Sequence, residues 1–259
     1  ICLVGSEMCI RDSYAVEAAG ALIDSLFERT GVHRISATLD PRNMPSARVL
    51  ERCGFEYVGT ARSSAFVRDE WTDDARFSLL APDRRRWKAR PTAAPESIEF
   101  VEVTADNIRQ VGRIEVAHSQ RRFVASVTQS IADAAHPPLH DGERVRPWYR
   151  AIKADGELAG FAMLAMPTPS QPVPYLWRLL VDTWHQRRGI ARLAIGLLAE
   201  LLLSEGCTHL DVSFVDEPDG PEAFYAQLGF ERTGGVDEDG EIEARADLRE
   251  IVRRLADVA

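Results

Sequence analysis

The chain has 259 residues, of which 45% are hydrophobic and 27% charged, a globular composition that speaks against disorder and against a long coiled coil. That length suits one or two domains, and the longest apolar runs, around residues 197–203 and 159–166, fall well short of the ~18 residues a membrane helix needs. The net charge of -9 lies wholly in residues 98–259, because residues 1–97 balance 14 basic against 14 acidic side chains; an acidic field repels phosphate backbones, which argues against nucleic acid as a partner and leaves a cationic small molecule open.

The opening ICLVGSEMCIRDS begins with Ile1 rather than Met and resembles translated sequencing-adaptor text. It lacks the basic start and long apolar run of a signal peptide, so residues 1–13 are set aside from fold reasoning. From Tyr14 to Arg29 the apolar residues Ala15, Ala18, Ala19, Leu22, Ile23, Leu26 and Phe27 follow the spacing of an amphipathic helix, with Gly31 as its stop. A strand at 34–40, a helix at 46–53 ended by Gly54, and strands at 55–60 and 75–80 follow. Three prolines and a basic run mark residues 82–97 as an exposed linker.

Beyond it, Ile98–Val103 alternates as a strand, and Thr104 caps a helix expected to reach about Ala117. A second helix spans 126–135, and HPPLHDGERVRP reads as a loop. Strands at 148–153 and 158–166 form a hairpin, followed by a strand at 175–181, a long helix at 189–205, a strand at 210–215, a helix at 221–228, and a closing hairpin at 230–236 and 241–248. Residues 249–259 read as a tail. The last five elements of the second half repeat those of the first, including LERCGFEYVGT (50–60) against YAQLGFERTGG (225–235). The chain therefore reads as an internal duplication whose first copy, 14–81, is truncated at its start, and whose second, 98–248, is whole.

The sharpest chemical signal is QRRGIA, Gln186 to Ala191, between the strand YLWRLLV and the long helix. A loop entering a helix points unpaired N–H groups outward at the positive end of the helix dipole, a site suited to phosphate anions. Gly189 lets the main chain come close to such a ligand. With the strand before it, the helix after it and FYAQLGF further on, this stretch resembles the GNAT superfamily of N-acetyltransferases. The resemblance implies an α/β fold of tandem GNAT-like units, each a mixed central sheet flanked by helices. It further implies acetyl-CoA as co-substrate, held through Gln186, Arg187, Arg188, Gly189, Ile190, Ala191 and Arg192, with the thioester oxygen at the backbone N–H groups of Leu180 and Val181. Tyr225 occupies the place of the family's tyrosine that protonates the coenzyme A sulfur.

QRRFVAS (120–126) with Ser130, YLWRLLVD and PEAFYAQLGFERTG further resemble the bacterial spermidine/diamine acetyltransferases, whereas Val127 and Pro218 stand where asparagine is frequent in that branch or in the superfamily. The first half resembles the C-terminal part of RimJ/RimL-type acetyltransferases through Asn43, Ser46, Leu50 and Gly54-Phe55, and its pyrophosphate loop would lie just before Tyr14, so no complete cofactor site is expected there. The acceptor implied is a primary amine, with a polyamine or diamine, a protein N-terminus and an aminoglycoside as candidates. A non-catalytic acyl-CoA sensor would keep QRRGIA without needing Tyr225.

No general base stands out among Asp182, His185, Asp211, Ser213, His118 and His209, each of which suits a cap or a packed neighbour. Trp148 and Trp177 are candidate walls for the amine. Acidic runs at Asp216, Glu217, Asp219 and Glu222 and at Asp237, Glu238, Asp239, Glu241 and Glu243 could draw in a polyamine or be solvated surface. Four cysteines at unrelated spacings form no metal motif and predict reduced thiols in the cytoplasm, with no metal expected. A homodimer is open to such a protein.

Overall fold

The computed structural model describes residues 6–67, 69–140, 142–217 and 220–256. It divides into two units, residues 1–90 with 117–119, and residues 91–116 with 120–259.

In the first unit, helix α1 (Ser6–Thr30) leads into β1 (Arg34–Leu39), α2 (Met44–Arg52), the long hairpin β2 (Glu56–Val67) and β3 (Glu70–Leu80), and α3 (Ala81–Lys88). The strands lie in the order β1-β3-β2, all antiparallel. Asn43 starts α2 by accepting the Ser46 N–H at 3.2 Å, with proline in the first turn. Ile23, Ala47, Cys53, Phe55, Ala75, Phe77 and Leu79 form its buried core.

The second unit contains β4 (Ile98–Val101), α4 (Ile108–Val111), α5 (Val127–Ala135), the small pair β5 (Leu139–His140) and β6 (Glu143–Arg144), then β7 (Arg146–Ala154), β8 (Glu157–Met166), β9 (Tyr175–Val181), α6 (Ile190–Ser204), β10 (His209–Phe214), α7 (Glu222–Gln227), β11 (Glu231–Val236), β12 (Ile242–Asp247) and α8 (Leu248–Ala256). Among the described residues its main sheet runs β11-β12-β10-β9-β8-β7-β4, with β9 and β10 parallel and the other neighbours antiparallel. Alternation along β8 sends Ala162 and Leu164 to one face, where they meet Ile190, Ile195, Leu198 and Leu202 of α6. Phe161 and Met163 go to the other, against Val111, Ile114 and Val127 of the α4–α5 region.

Three expectations are corrected. The stretch 82–97 is not all linker, because residues 81–88 form α3. Arg84 Nε donates to Asp24 on α1 at 2.8 Å, its Nη1 donates to the Cys53 carbonyl at 2.8 Å, and the Trp87 indole donates to the Arg52 carbonyl at 3.1 Å. Charge that looked solvated is thus consumed by packing, and the unit ends at Arg90. Residues 249–256 are likewise not a tail: Leu248 and Ile251 are buried in the main core, and Gly196 of α6 lets Leu255 pack on that helix, where a Cβ would meet its Cδ1 at 2.7 Å. The tail's last three residues lie outside the described ones. The helix expected from Thr104 to Ala117 is only 108–111 long, because the backbone of Glu115 leaves it to bond the corner after β9, taking the Asp182 carboxylate on its N–H and the Thr183 N–H on its carbonyl.

Candidate functional site

Strand β9 pairs with β8 along its length but with β10 at a single register point, Tyr175↔Asp211. From there the two parallel strands diverge and leave the rest of β9, among the described residues, without a strand partner on that side. The β8–β9 contact is close at Gly160, where a Cβ would strike the Leu180 carbonyl. Asp182 N–H donates to the Ala159 carbonyl of β8 at 2.9 Å. By alternation, the Val181 N–H then faces the open side, the Leu180 N–H faces β8, and Leu179 faces the opening again. Of the pair expected to hold the thioester oxygen, Val181 has its N–H on the open side, as does Leu179, while that of Leu180 is directed at β8.

After β9 the chain turns through a short 3-10 segment at 183–185, capped by Asp182 Oδ1 accepting the Trp184 N–H at 2.9 Å, and reaches the 186–189 corner. Two residues here have positive φ, Arg187 (67°) and Gly189 (79°). The first is a non-glycine in the left-handed region, a conformation costing roughly 1–2 kcal/mol. Its neighbours hold it there. Arg188 is 5% exposed, and its guanidinium donates to the Ala93 carbonyl (2.8 Å), to His185 Nδ1 (3.0 Å) and to the Asp155 carboxylate (2.6 Å). Gln186 Nε2 donates to the Val181 carbonyl (3.1 Å) and to Gln120 Oε1 (2.7 Å). Arginine has only donors, so His185 Nδ1 accepts and the ring is the neutral Nε2–H tautomer; burial holds its pKa below the ordinary histidine value.

Ile190 is buried in the core and the Arg192 guanidinium donates to the Arg254 carbonyl at 3.0 Å. The side chains of Gln186, Arg188, Ile190 and Arg192 therefore face structural partners, and their share in any anion site runs through the main chain. Gly189 occupies the N-cap with no side chain over the helix end, and the first intrahelical bond is Leu193 N–H to Gly189. The N–H groups of residues 190–192 are left without helical partners at the positive end of a 15-residue helix. This arrangement suits a phosphate-bearing ligand.

Tyr225 lies on α7 in the main core, stacked on Phe214 (5.8 Å between centroids) and edge-on to Phe224 and Phe230 (5.3 Å each). Burial, then the nearby Tyr175 and Glu241, push its phenol well above the ordinary tyrosine value, so it carries its proton at neutral pH. Trp148 packs against the core, edge-on to Phe100 at 5.3 Å, rather than forming a wall. Trp177 sits at an irregularity of β9, between the paired residues Leu176 and Arg178.

The residues from which no base stood out are mostly occupied. Asp182 caps the turn, Asp211 pairs with Arg245 at 2.6 Å, and His118 stacks on Tyr57 at 3.6 Å within the first unit. His209 Nδ1 lies 2.8 Å from the Thr208 hydroxyl. The first acidic run is partly compensated: Asp216 and Glu222 both bind Arg232, and Glu217 binds Arg122. Pro218 and Asp219 lie outside the described residues. Asp237 instead folds its own turn, accepting the N–H groups of Asp239 and Glu241.

No helix of the described residues is long and apolar enough to cross a membrane. Two family models match the chain, Acetyltransferase (GNAT) family over residues 114–230 and Acetyltransferase (GNAT) domain over residues 3–56. A Bacillus subtilis relative, described as probable N-acetyltransferase YjcK, is 39% identical over 67 residues, 26% of this chain and 37% of its own length. Among solved structures, the ribosomal-protein-S5-alanine acetyltransferase from Vibrio fischeri is 34% identical over 26% of this chain and 37% of its own, with a TM-score of 0.26. RimJ from Mycobacterium smegmatis is 18% identical over 62% of this chain and 88% of its own, with a TM-score of 0.48. The chain thus spans little more than a third of the length of the curated relative it matches. Models of GNAT acetyltransferases thus match a segment in each half of the chain.

Proposed function

We propose that the second unit is an acetyl-CoA-dependent N-acetyltransferase that acts on a primary amine in the cytoplasm. The observation that carries this reading is the 186–192 corner, whose side chains turn to structural partners while its main-chain donors are left over. Acetyl-CoA supplies an acyl group activated as a thioester, with a pyrophosphate as its handle. The N–H groups of 190–192 and the left-handed turn at 187–189 hold that pyrophosphate. The Val181 N–H, on the open side of β9, meets the thioester oxygen as it gains charge. Tyr225, kept protonated by burial, gives a proton to the departing thiolate.

The amine read from sequence is a polyamine or diamine. With Asp216, Glu217 and Glu222 sharing the two arginines Arg122 and Arg232, the net acidity of that run is reduced and gives a polycation less support. The support is therefore for a primary amine as a class. Calorimetry with acetyl-CoA, followed by an assay of coenzyme A release against spermidine, an alanine-led peptide and kanamycin, tests the reading. Binding with release to one of them upholds it. Binding without release to any acceptor makes the chain an acyl-CoA sensor, and absence of binding removes the site.

A further inference from the structure

Where β9 and β10 meet, the Tyr175 hydroxyl lies 2.7 Å from Ser213 Oγ, and Ser213 Oγ donates to Glu241 Oε2 at 2.6 Å. A serine hydroxyl has one hydrogen. Since Ser213 uses it on Glu241, Tyr175 must donate to Ser213, and the chain runs in one direction from strand β9 to the carboxylate. The tyrosine oxygen keeps its lone pairs for a further donor. Glu241 is held in place by its own N–H, which donates to Asp237 Oδ1 at 2.9 Å. Tyr175 stands at the last paired position before the strands diverge, and Tyr225 approaches the same point from α7. The neighbouring Asp211 is tied up by Arg245, so Glu241 is the acid this chain of hydroxyls reaches.

We propose that Tyr175, Ser213 and Glu241 form a proton relay that deprotonates the acceptor ammonium, Tyr175 touching the amine as a catalytic residue and Ser213 and Glu241 acting through it. The proposal rests on the acetyl-transfer reading of the site. One ammonium N–H bond breaks as an O–H bond forms at Tyr175. The former Tyr175 proton passes to Ser213 Oγ, and that of Ser213 to Glu241, whose carboxylate becomes a carboxylic acid. The nitrogen lone pair then attacks the acyl carbon, the carbon–sulfur bond breaks, and the thiolate takes its proton from Tyr225. The cationic nitrogen of the tetrahedral adduct gives up its second proton, which restores the Tyr225 phenol as the amide forms, and the proton stored on Glu241 leaves to solvent, so that one proton is released for each acetyl group transferred.

Burial raises the Tyr175 pKa, so a standing phenolate is not the base and the protons move together. The groups that bear on its charge are Ser213 and Glu241, Asp237 from the β11–β12 turn, Arg178 on its own strand, and Tyr225 from α7.

The test uses the full chain, Glu241→Gln, Ser213→Ala and Tyr175→Phe, and whichever of spermidine, the alanine-led peptide or kanamycin releases coenzyme A fastest. Each variant should lose about 100-fold in turnover near neutral pH, the lower end expected for a positioned proton acceptor, with acetyl-CoA affinity unchanged. The deficit should close as pH rises toward the pKa of the amine, roughly 10 for an alkylammonium, where the acceptor is already neutral. In the ligand-free protein, an ultraviolet titration should show tyrosine ionisation moved to lower pH in Glu241→Gln, and a smaller change in the Tyr175→Phe/Glu241→Gln double variant, where only Tyr225 still feels the loss of Glu241. A deficit that does not change with pH, no deficit, or an unchanged tyrosine titration overturns the relay alone. A wild-type chain that fails to bind acetyl-CoA, or binds it without turnover, overturns the reading of the site and the relay with it.

Discussion

The two units are built on one plan and finished differently. In each, a long helix is followed by a strand, a short helix and a hairpin, with the strands in equivalent order: β1-β3-β2 in the first unit, β10-β12-β11 in the second. The correspondence extends to single bonds. Ala81 N–H donates to the His33 carbonyl in one unit and Leu248 N–H to the Thr208 carbonyl in the other, each fixing the helix after the last strand. Phe55 N–H closes on Leu50 and Phe230 N–H on Tyr225 around left-handed glycines, Gly54 (92°) and Gly229 (95°). Both glycines lie against the last helix, where a Cβ would meet the Trp87 ring at 2.6 Å or Arg254 Nε at 3.3 Å. What differs is chemistry: Leu50 stands at the position of Tyr225, and α1 runs helical through the place where the second unit has its 186–189 corner. Gly189 lies seven residues before Gly196, which faces α8, and seven before Gly20, which faces Arg84 of α3, stands Ser13.

If that contrast is functional, the largest effect belongs to Tyr225. Tyr225→Phe keeps the ring against Phe214, Phe224 and Phe230, so melting temperature and acetyl-CoA affinity should hold while turnover falls roughly 100- to 10,000-fold. Parallel loss of affinity and melting temperature would make Tyr225 a packing residue, as Leu50 is in the first unit. Next comes Gly189→Val. Nothing lies within 4 Å of the added Cβ, but φ is 79°, which a β-branched residue resists, and the new methyls would stand over the N–H groups of 190–192. Calorimetry should show acetyl-CoA affinity down about tenfold or more in a protein that still melts cooperatively; unchanged affinity would move the cofactor elsewhere.

The order of strands and the glycine corner were legible in the sequence because both follow from period-two apolar alternation and from glycine's freedom at positive φ. α3 and α8 were not. RRRWK and REIVRR read as solvated charge, and only the fold shows that Arg84 spends its donors on Asp24 and Cys53 or that Ile251 is buried. The sequence likewise does not show that the Arg188 guanidinium turns inward to Ala93, His185 and Asp155, since those partners are brought to it only by the fold. The base was illegible because Tyr175, Ser213 and Glu241 are far apart in sequence and each alone is unremarkable. They meet only through the β9–β10 vertex and the β11–β12 turn.

A smaller effect separates the ion pairs that pin each unit. Arg188→Met should lower the melting temperature by a few degrees, since roughly 1.5–3 kcal/mol attends loss of a charged hydrogen bond and each kcal/mol moves a domain of this size by about 2–4 °C. Its partner Asp155 has its pKa lowered by the Ser97 N–H first and by Arg188 and the Glu96 N–H in addition. A carboxyl with a depressed folded pKa contributes stability above its unfolded value, and that contribution disappears as pH falls through the folded pKa. The gap in melting temperature between wild type and Arg188→Met should therefore be full near neutral pH and narrow below about pH 4. Arg84→Met should behave alike in the first unit, where the Arg84 side-chain bond is the largest cause holding the Asp24 pKa down. A gap independent of pH in either variant would assign the loss to packing alone.

The smallest expected effect is the most direct test of the difference between the units. Leu50→Tyr restores to the first unit the side chain that the second unit carries at Tyr225. A phenol can protonate a thiolate only if a thioester is held beside it, and holding one requires a helix N-terminus free of preceding helix, with donors pointing at the pyrophosphate. In the first unit α1 continues through that position, so its N–H groups there are spent within the helix. Combined with Tyr225→Phe, Leu50→Tyr should leave coenzyme A release at the level of Tyr225→Phe alone, and calorimetry should show no second acetyl-CoA site. Leu50 packs against the buried core, so the larger ring should cost roughly 1–3 kcal/mol of stability, read as a lower melting temperature. Recovery of turnover in the double variant would mean that the first unit holds a thioester without the glycine corner, and the contrast drawn between the two units would fail at its centre.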